Sequence, residues 1–359
     1  MKWNCVILIP AYNPPEDLLA HLTELRQHGF ADFILVDDGS SAARKNVFEQ
    51  AERMGCVVIK NPEKQGKGYA LKAGFAYYIE HDQGKFDGVI TLSANVRFPV
   101  QSVEKIAEAL REERTKGTHA LVLGSRNFFD PGLPRASRFG SKVSQFICNV
   151  LLGIHLKDCM TGLRGIPDDQ VQLCLEIPGH GYEYETSMVL RFESIGYREV
   201  ETRTLPAPQG AERAYRRGKD TFYIVLTMMK RFLMFTAVSV SVSIFDIFLF
   251  WIFTEYVFTD VPFCIIWSTI LARIISATVN YIVNRQVVFQ TNEDRRKSAA
   301  QFLVLSIAQC LTSALLVYLL EKISSGNAVG LKVLVDVMLF FVNYKVQKKF
   351  IFVEEAQRT

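Results

Sequence analysis

Several short stretches carry residues able to read a ligand: Pro10-Ala11-Tyr12-Asn13, Asp37-Asp38-Gly39-Ser40, Gln65-Gly66-Lys67-Gly68, Ser93-Ala94-Asn95 and Gly124-Ser125-Arg126. Most of them follow an apolar run directly. By itself an Asp pair followed by Gly-Ser is equally an N-cap, because a short side-chain oxygen accepts from the first free helical N–H groups. With IPAYNP upstream and the Gly-Lys-Gly stretch downstream, the same pair reads as part of a nucleotide pocket.

The elements that must position these residues alternate. Short apolar strands are expected at 6–9, 33–36, 57–59, 89–92 and 121–123, with helical patterns at 15–28, 42–54, 68–80 and 100–116. A βα repeat of this kind predicts a Rossmann-like, mostly parallel sheet, with ligands at the carboxyl ends of the strands. His21, His28 and His81 fall on the expected helices and read as surface residues.

The rest of the chain differs in composition. Hydrophobic residues make up 49% of 359 residues, and the excess lies beyond about Arg231, in a Phe-rich, acid-poor tract. Spans of about 20 apolar residues are what a bilayer requires. Four candidates occur, at 232–253, 261–283, 299–320 and 329–346. The alternative, a large buried helical core, would need more long apolar helices than a soluble domain of this size uses. Lys230 and Arg231 precede the first candidate, Arg285, Arg295, Arg296 and Lys297 lie between the second and third, and Lys345, Lys348 and Lys349 follow the fourth. This bias predicts that both termini and the first domain face the cytosol. Lys2 leads straight into a strand, so no signal peptide is expected.

The net charge is a mild +4, and the basic residues beside the apolar segments suit an anionic membrane face rather than nucleic acid. This includes the basic loop between Pro206 and Asp220. The seven Cys show no CxxC and read as buried thiols in a reducing compartment. Asp246, Arg273, Asn280, Gln309 and Asp336 lie inside candidate spans, with Asn343 near the end of the last. Polar groups there either lock a bundle, as an Asp246 or Asp336 pair with Arg273 would, or line a polar path for a lipid head group.

From Lys230 to Val353 the chain resembles the GtrA-like membrane family. The resemblance rests on Asp246, Arg273, Asn280-Tyr281-Ile282-Val283-Asn284-Arg285, Val288-Phe289, Asp336 and Phe341-Val342-Asn343-Tyr344-Lys345. The Asn-Tyr arrangement occurs twice, so the bundle reads as two related helix pairs. The resemblance implies handling of polyprenyl-phosphate-linked sugars.

From Val6 to about Tyr223 the chain resembles GT-A glycosyltransferases of family 2, in the branch of polyprenyl-phosphate glycosyltransferases. Beside the stretches above, it shares Pro134-Arg135-Ala136-Ser137-Arg138, Asp158-Cys159-Met160-Thr161-Gly162-Leu163-Arg164 and Gly181-Tyr182-Glu183-Tyr184-Glu185. The resemblance implies that Pro10, Tyr12, Asn13, Asp37, Asp38, Lys67, Ser93 and Asn95 meet the nucleotide sugar. Arg126, Arg135 and Arg138 would hold phosphates, and Ser137, Asp158, Thr161, Arg164, Glu183 and Glu185 would lie on the acceptor side. Glu183 and Glu185 read equally as cap and solvation of the helix they open.

One departure stands out. The family ends its fourth strand in DxD, followed two residues later by Gln, to hold Mg²⁺ or Mn²⁺. This chain has Ser93-Ala94-Asn95-Val96-Arg97. Hard divalent ions want anionic oxygens, so no metal is expected, and Arg97 is the expected replacement charge. Domains are expected at 1–229 (α/β GT-A), 230–353 (all-α, four transmembrane helices) and a tail at 354–359. The expected function is sugar transfer from a nucleotide sugar to polyprenyl phosphate at the membrane. The alternative is an inactive pseudo-transferase that binds nucleotide or lipid phosphate and regulates the bundle. Expected partners are the nucleotide sugar, the lipid and the membrane, with a homo-oligomer left open and no nucleic acid.

Overall fold

The computed structural model describes residues 2–126, 144–203, 205, 218–259, 262–291, 294–323 and 328–352. The chain divides into two units, Met1–Met228 and Met229–Thr359.

The first unit is built on a seven-stranded sheet of order β3-β2-β1-β4-β6-β5-β7. The strands are β1 (Val6–Ala11), β2 (Asp32–Asp37), β3 (Val57–Lys60), β4 (Gly88–Thr91), β5 (Leu121–Arg126), β6 (Arg164–Pro167) and β7 (Tyr197–Thr202). Only β6 runs antiparallel to its neighbours; every other pairing is parallel. β1 is buried along its whole length, which is why it reads as a continuous apolar run rather than an alternating one. Helices α1 (Asp17–Gln27), α2 (Lys45–Arg53), α3 (Lys67–His81) and α4 (Val100–Lys116) connect the first five strands. On α1, Leu18, Leu22 and Leu25 recur at helical spacing and are buried in one core with β1, β2 and α4. Two shorter helices follow, α5 (Val171–Glu176) and α6 (Glu183–Arg191).

β2 and β4 flank β1 on opposite sides. The strand order therefore reverses at β1, and the crevice at the carboxyl ends there is where an open α/β sheet takes its ligand.

His21 differs from its surface expectation. It is 5% exposed, because it shares the buried face of α1 with Leu18 and Leu22. Six cysteines are free thiols among the described residues, of which Cys5, Cys56, Cys148, Cys159 and Cys174 are buried.

The second unit contains the body of α7 (Lys219–Ile252), then α8 (Cys264–Val283), α9 (Arg295–Ile323) and α10 (Ala328–Val346). Among the described residues, one helix, Lys219–Val257, is long and apolar enough to cross a membrane. The expected spans at 261–283 and 329–346 are helices that carry charges within them, Arg273 in the first and Lys332 and Asp336 in the second. Ile244, Ile247, Phe248 and Trp251 on α7 and Leu303, Val304, Ile307 and Leu311 on α9 are exposed. Such an apolar exterior suits hydrocarbon, where helices satisfy their own backbone groups.

The repeated Asn-Tyr pattern has a structural counterpart. After α8 the chain makes a wide turn over Asn284–Val288, closed by Phe289 N–H donating to the Asn284 carbonyl at 2.9 Å. After α10 it repeats this over Gln347–Ile351, with Phe352 N–H donating to the Gln347 carbonyl at 2.8 Å. Asn284 Nδ2 donates to Asn280 Oδ1 at 2.9 Å, and Gln347 Nε2 to Asn343 Oδ1 at 3.1 Å. Phe289 and Phe352 stack with centroids 5.2 Å apart. Asp246 accepts from Ser276 Oγ at 2.6 Å and lies 3.3 Å from Arg273, while Asp336 accepts from Ser313 Oγ at 2.6 Å. Each of these contacts joins two helices, the kind of pairing the helix-locking reading calls for.

Candidate functional site

The turns after β1 and β2 are tied to each other before they touch any ligand. Asn13, at φ 46°, accepts from Ser41 N–H through Oδ1 at 2.9 Å, and its own N–H donates to Ser40 Oγ at 2.9 Å. Asp37 Oδ1 accepts from Ser40 N–H at 2.8 Å and closes the Asp-Asp-Gly-Ser turn. Asp38 is 3% exposed, and its carboxylate organises the next loop. Oδ1 accepts from Gln65 N–H at 2.9 Å and from Asn61 Nδ2 at 3.2 Å, and Oδ2 accepts from Gly66 N–H at 2.8 Å. Such charge-assisted bonds are the strong ones. Gly66, at φ 112°, has to be glycine: a Cβ there would stand 2.5 Å from the His180 carbonyl oxygen. The loop thus fixed delivers Lys64 and Lys67.

These residues surround a cavity of about 400 Å³ at the carboxyl ends of β1, β2 and β4. Pro10, Ala11 and Tyr12 line it from β1, Asp38 from β2, and Ser93 and Asn95 from the turn after β4. Lys64 and Lys67 enter from the loop, Tyr182 and Glu183 from the start of α6, and Lys219, Asp220 and Tyr223 from the first turns of α7. Lys64 Nζ sits 3.8 Å from the Tyr12 ring centroid, a cation–π contact. Lys67 Nζ lies 2.7 Å from Glu185 Oε2, each side chain only 13% exposed. Asn95 Oδ1 and, near Ser93 and Lys67, Glu185 Oε1 are among the buried oxygens with no hydrogen-bond partner among the described residues. Both are acceptors, the complement of hydroxyl groups on a ligand.

Other expected site residues stand elsewhere. Arg97 does not line this cavity: its guanidinium bonds Asp17 at 2.8 and 3.0 Å and Glu24 at 2.9 Å, both on α1. Two acids on one helix hold the charge that the sequence pattern assigns to a diphosphate. Beside it, His21 has its imidazole pKa lowered, first by burial and then by the Arg97 charge. Arg126 makes a forked pair with Asp158, Nε to Oδ2 at 2.6 Å and Nη2 to Oδ1 at 3.1 Å, with the Asp158 side chain fully buried. Thr161 is buried and accepts from Leu163 N–H at 3.2 Å. Arg164, 1% exposed, donates to the Thr161 carbonyl at 3.0 Å and to the Glu185 carbonyl. The second bond ties its guanidinium to the backbone of Glu185. Glu183 Oε1 accepts from His180 and Gly181 N–H groups at 3.0 and 2.9 Å, the capping alternative, while its side chain also faces the cavity. Arg135, Ser137 and Arg138, and most of the basic loop at 206–217, lie outside the described residues.

Sequence reasoning missed Lys64, Lys219 and Tyr223. Lys64 adjoins the Gln-Gly-Lys-Gly stretch and carried a local signal. The α7 residues carried none, since their place at the cavity depends on a contact far along the chain.

Ser93 and Asn95 offer a hydroxyl and an amide, and no group of three His, Cys, Asp or Glu side chains able to hold a metal occurs among the described residues.

Residues 6–171 match Glycosyl transferase family 2, and residues 231–352 match the GtrA/DPMS transmembrane domain. The chain is 25% identical over 229 residues to Glycosyltransferase AglJ of Haloferax volcanii, covering 63% of this chain and 71% of that protein. It is 21% identical over 220 residues to the UDP-N-acetylglucosamine–dolichyl-phosphate N-acetylglucosaminyltransferase of Methanococcus voltae, covering 55% and 84%. A structure of glucosyl-3-phosphoglycerate synthase from Mycobacterium tuberculosis with Mn²⁺, UDP and glucosyl-3-phosphoglycerate aligns at a TM-score of 0.48 and 15% identity, covering 64% and 80%.

Proposed function

Because this chain joins a family 2 glycosyltransferase domain to a GtrA/DPMS membrane domain, we propose that it transfers a sugar from a nucleotide sugar to a polyprenyl phosphate at the cytosolic face of the membrane. The observation that carries this reading is the cavity at the strand ends, with Asp38, Lys64, Lys67, Ser93 and Asn95 converging on it. Its volume of about 400 Å³ falls in the range of small-molecule sites. The dolichyl-phosphate acceptor named for the Methanococcus voltae relative supports the acceptor class.

The chemistry asks little of the acceptor side. A lipid phosphate is anionic at neutral pH, so its oxygen attacks the anomeric carbon without a general base. The bond from that carbon to the diphosphate oxygen breaks, and the nucleoside diphosphate leaves with the electron pair. The barrier lies in the charge gathering on the leaving group, and fixed cations in a partly dry cleft lower it. Asn95 Oδ1 and Glu185 Oε1 would accept from sugar hydroxyls and orient the ring.

The lysine and arginine bias beside the helices supports the cytosolic orientation. An impermeant thiol reagent applied from outside should label Ser325→Cys and spare Asn292→Cys; the reverse pattern would overturn the orientation.

A second reading follows from the missing carboxylates at 93 and 95 and the diversion of Arg97 to α1. It is a non-catalytic domain that binds nucleotide and regulates a bundle handling lipid-linked sugar. The deciding experiment incubates the full chain in lipid nanodiscs with polyprenyl phosphate and a panel of radiolabelled nucleotide sugars. Label in the organic phase supports transfer. Nucleotide binding without labelled lipid, whatever the donor, supports the second reading.

A further inference from the structure

We propose that Lys67 takes the place of the divalent ion, so that this site holds the donor's diphosphate by a protein ammonium group and needs no metal. The inference rests on the nucleotide-sugar reading above and deepens it.

The first observation is the donor set. A metal at the end of β4 would need carboxylates at 93 and 95, and these positions hold Ser and Asn. The acids that remain nearby are largely engaged, with Glu185 Oε1 left without a partner among the described residues. Asp38 spends both oxygens on the Gln65 and Gly66 N–H groups, and Glu183 spends Oε1 on the His180 and Gly181 N–H groups. Glu185 faces Lys67, and Asp220 has a partner of its own.

The second observation is where Lys67 stands. A Cβ built on Gly162 would lie 3.7 Å from Lys67 Nζ and 3.7 Å from Ser93 Cβ. The ammonium therefore sits beside the strand end that would otherwise hold the ion, and it would repel a divalent cation placed there. Its position is fixed. Glu185 holds it at 2.7 Å, and Arg164 holds the Glu185 backbone in turn.

The cavity is not a general anion sink. Lys64, Lys67 and Lys219 line it, and so do Asp38, Glu183 and Asp220, so the formal charges balance. Direction makes the difference. Asp38 and Glu183 turn oxygens toward backbone N–H groups, whereas Lys67 places its charge at the cavity wall beside Ser93. A lysine ammonium is a compact point charge with three donors, able to bond phosphate oxygens while keeping Glu185.

The test uses the full chain in detergent, with UDP, GDP, CDP and dTDP as probes, titrated calorimetrically with EDTA and with Mn²⁺ or Mg²⁺. At least one should bind equally in EDTA and in metal. Lys67→Met should weaken that binding by roughly 10–100-fold, the scale of one charge-assisted contact, and Lys67→Arg should restore much of it. Lys67→Met alone strands a buried Glu185, so Lys67→Met with Glu185→Gln is the control for folding. It should melt like wild type and still bind poorly. Binding that requires metal, or Lys67→Met with Glu185→Gln binding as wild type does, overturns the proposal and leaves the transferase reading intact. Failure of every nucleotide to bind, with and without metal, overturns both.

Discussion

Arg97 donates from Nη1 to both carboxylate oxygens of Asp17, at 2.8 and 3.0 Å, across 80 residues of sequence. With the Glu24 contact, this pins the strand-end turn after β4 to α1 and takes the guanidinium out of the cavity at the strand ends. The side chains involved are 28–43% exposed, so solvent screens the pairs and each contributes under about 1 kcal/mol. Arg97→Gln is therefore expected to change stability by about 1 kcal/mol at most and to leave nucleotide binding unchanged. Loss of binding in calorimetry, with the fold intact, would return Arg97 to the site.

What the sequence made legible follows the range of each interaction. The first five strands and their helices are local patterns, apolar runs ending in polar turns, and they appear where the pattern places them. β6 was not legible. Its four residues, Arg164 to Pro167, include an arginine and a proline, and its antiparallel pairing is set by β4 and β5. β7 reads as mixed polar because it is a half-buried edge strand. The cavity's position was legible from the strand ends. The partners of its charged residues were not. Lys67 meets Glu185 across 118 residues and Arg126 meets Asp158 across 32, and no spacing rule announces such pairs.

Arg126 tests that distinction. Its partner Asp158 is fully buried, and removing one member of such a pair strands a charge in low dielectric. Arg126→Met should cost about 3 kcal/mol or more, read as a lowered denaturation midpoint of the full chain in detergent. Unchanged stability with lost nucleotide binding would instead assign Arg126 to the phosphates.

His21 predicts an acid limb of stability. Its pKa lies below the ordinary 6.5, chiefly from burial, so the unfolded chain binds the proton more readily than the folded one. The stabilisation is complete above pH 6.5 and is lost as pH falls toward the lowered folded value. Glu24, whose pKa is lowered from 4.5 mainly by its bond to Arg97, acts only further down the scale. Thermal melts of wild type should fall in temperature on acidification from pH 7 to pH 5, and His21→Leu should flatten that fall, since neither ring nitrogen has a hydrogen-bond partner among the described residues and Glu24 stands 3.7 Å from Nδ1. A steeper fall in His21→Leu would contradict this.

The most direct test asks whether nucleotide occupies the cavity at the end of β4. Ser93→Cys places a thiol on its wall, in a chain where Cys264→Ser and Cys310→Ser remove the cysteines outside the first unit, and those described within it are buried. The rate of maleimide modification is then followed with and without a nucleoside diphosphate or its sugar ester, with Glu108→Cys on α4 as the exposed control. The account predicts that at least one nucleotide slows modification at 93 and leaves 108 unaffected. Equal rates at 93 with every nucleotide tried would contradict it.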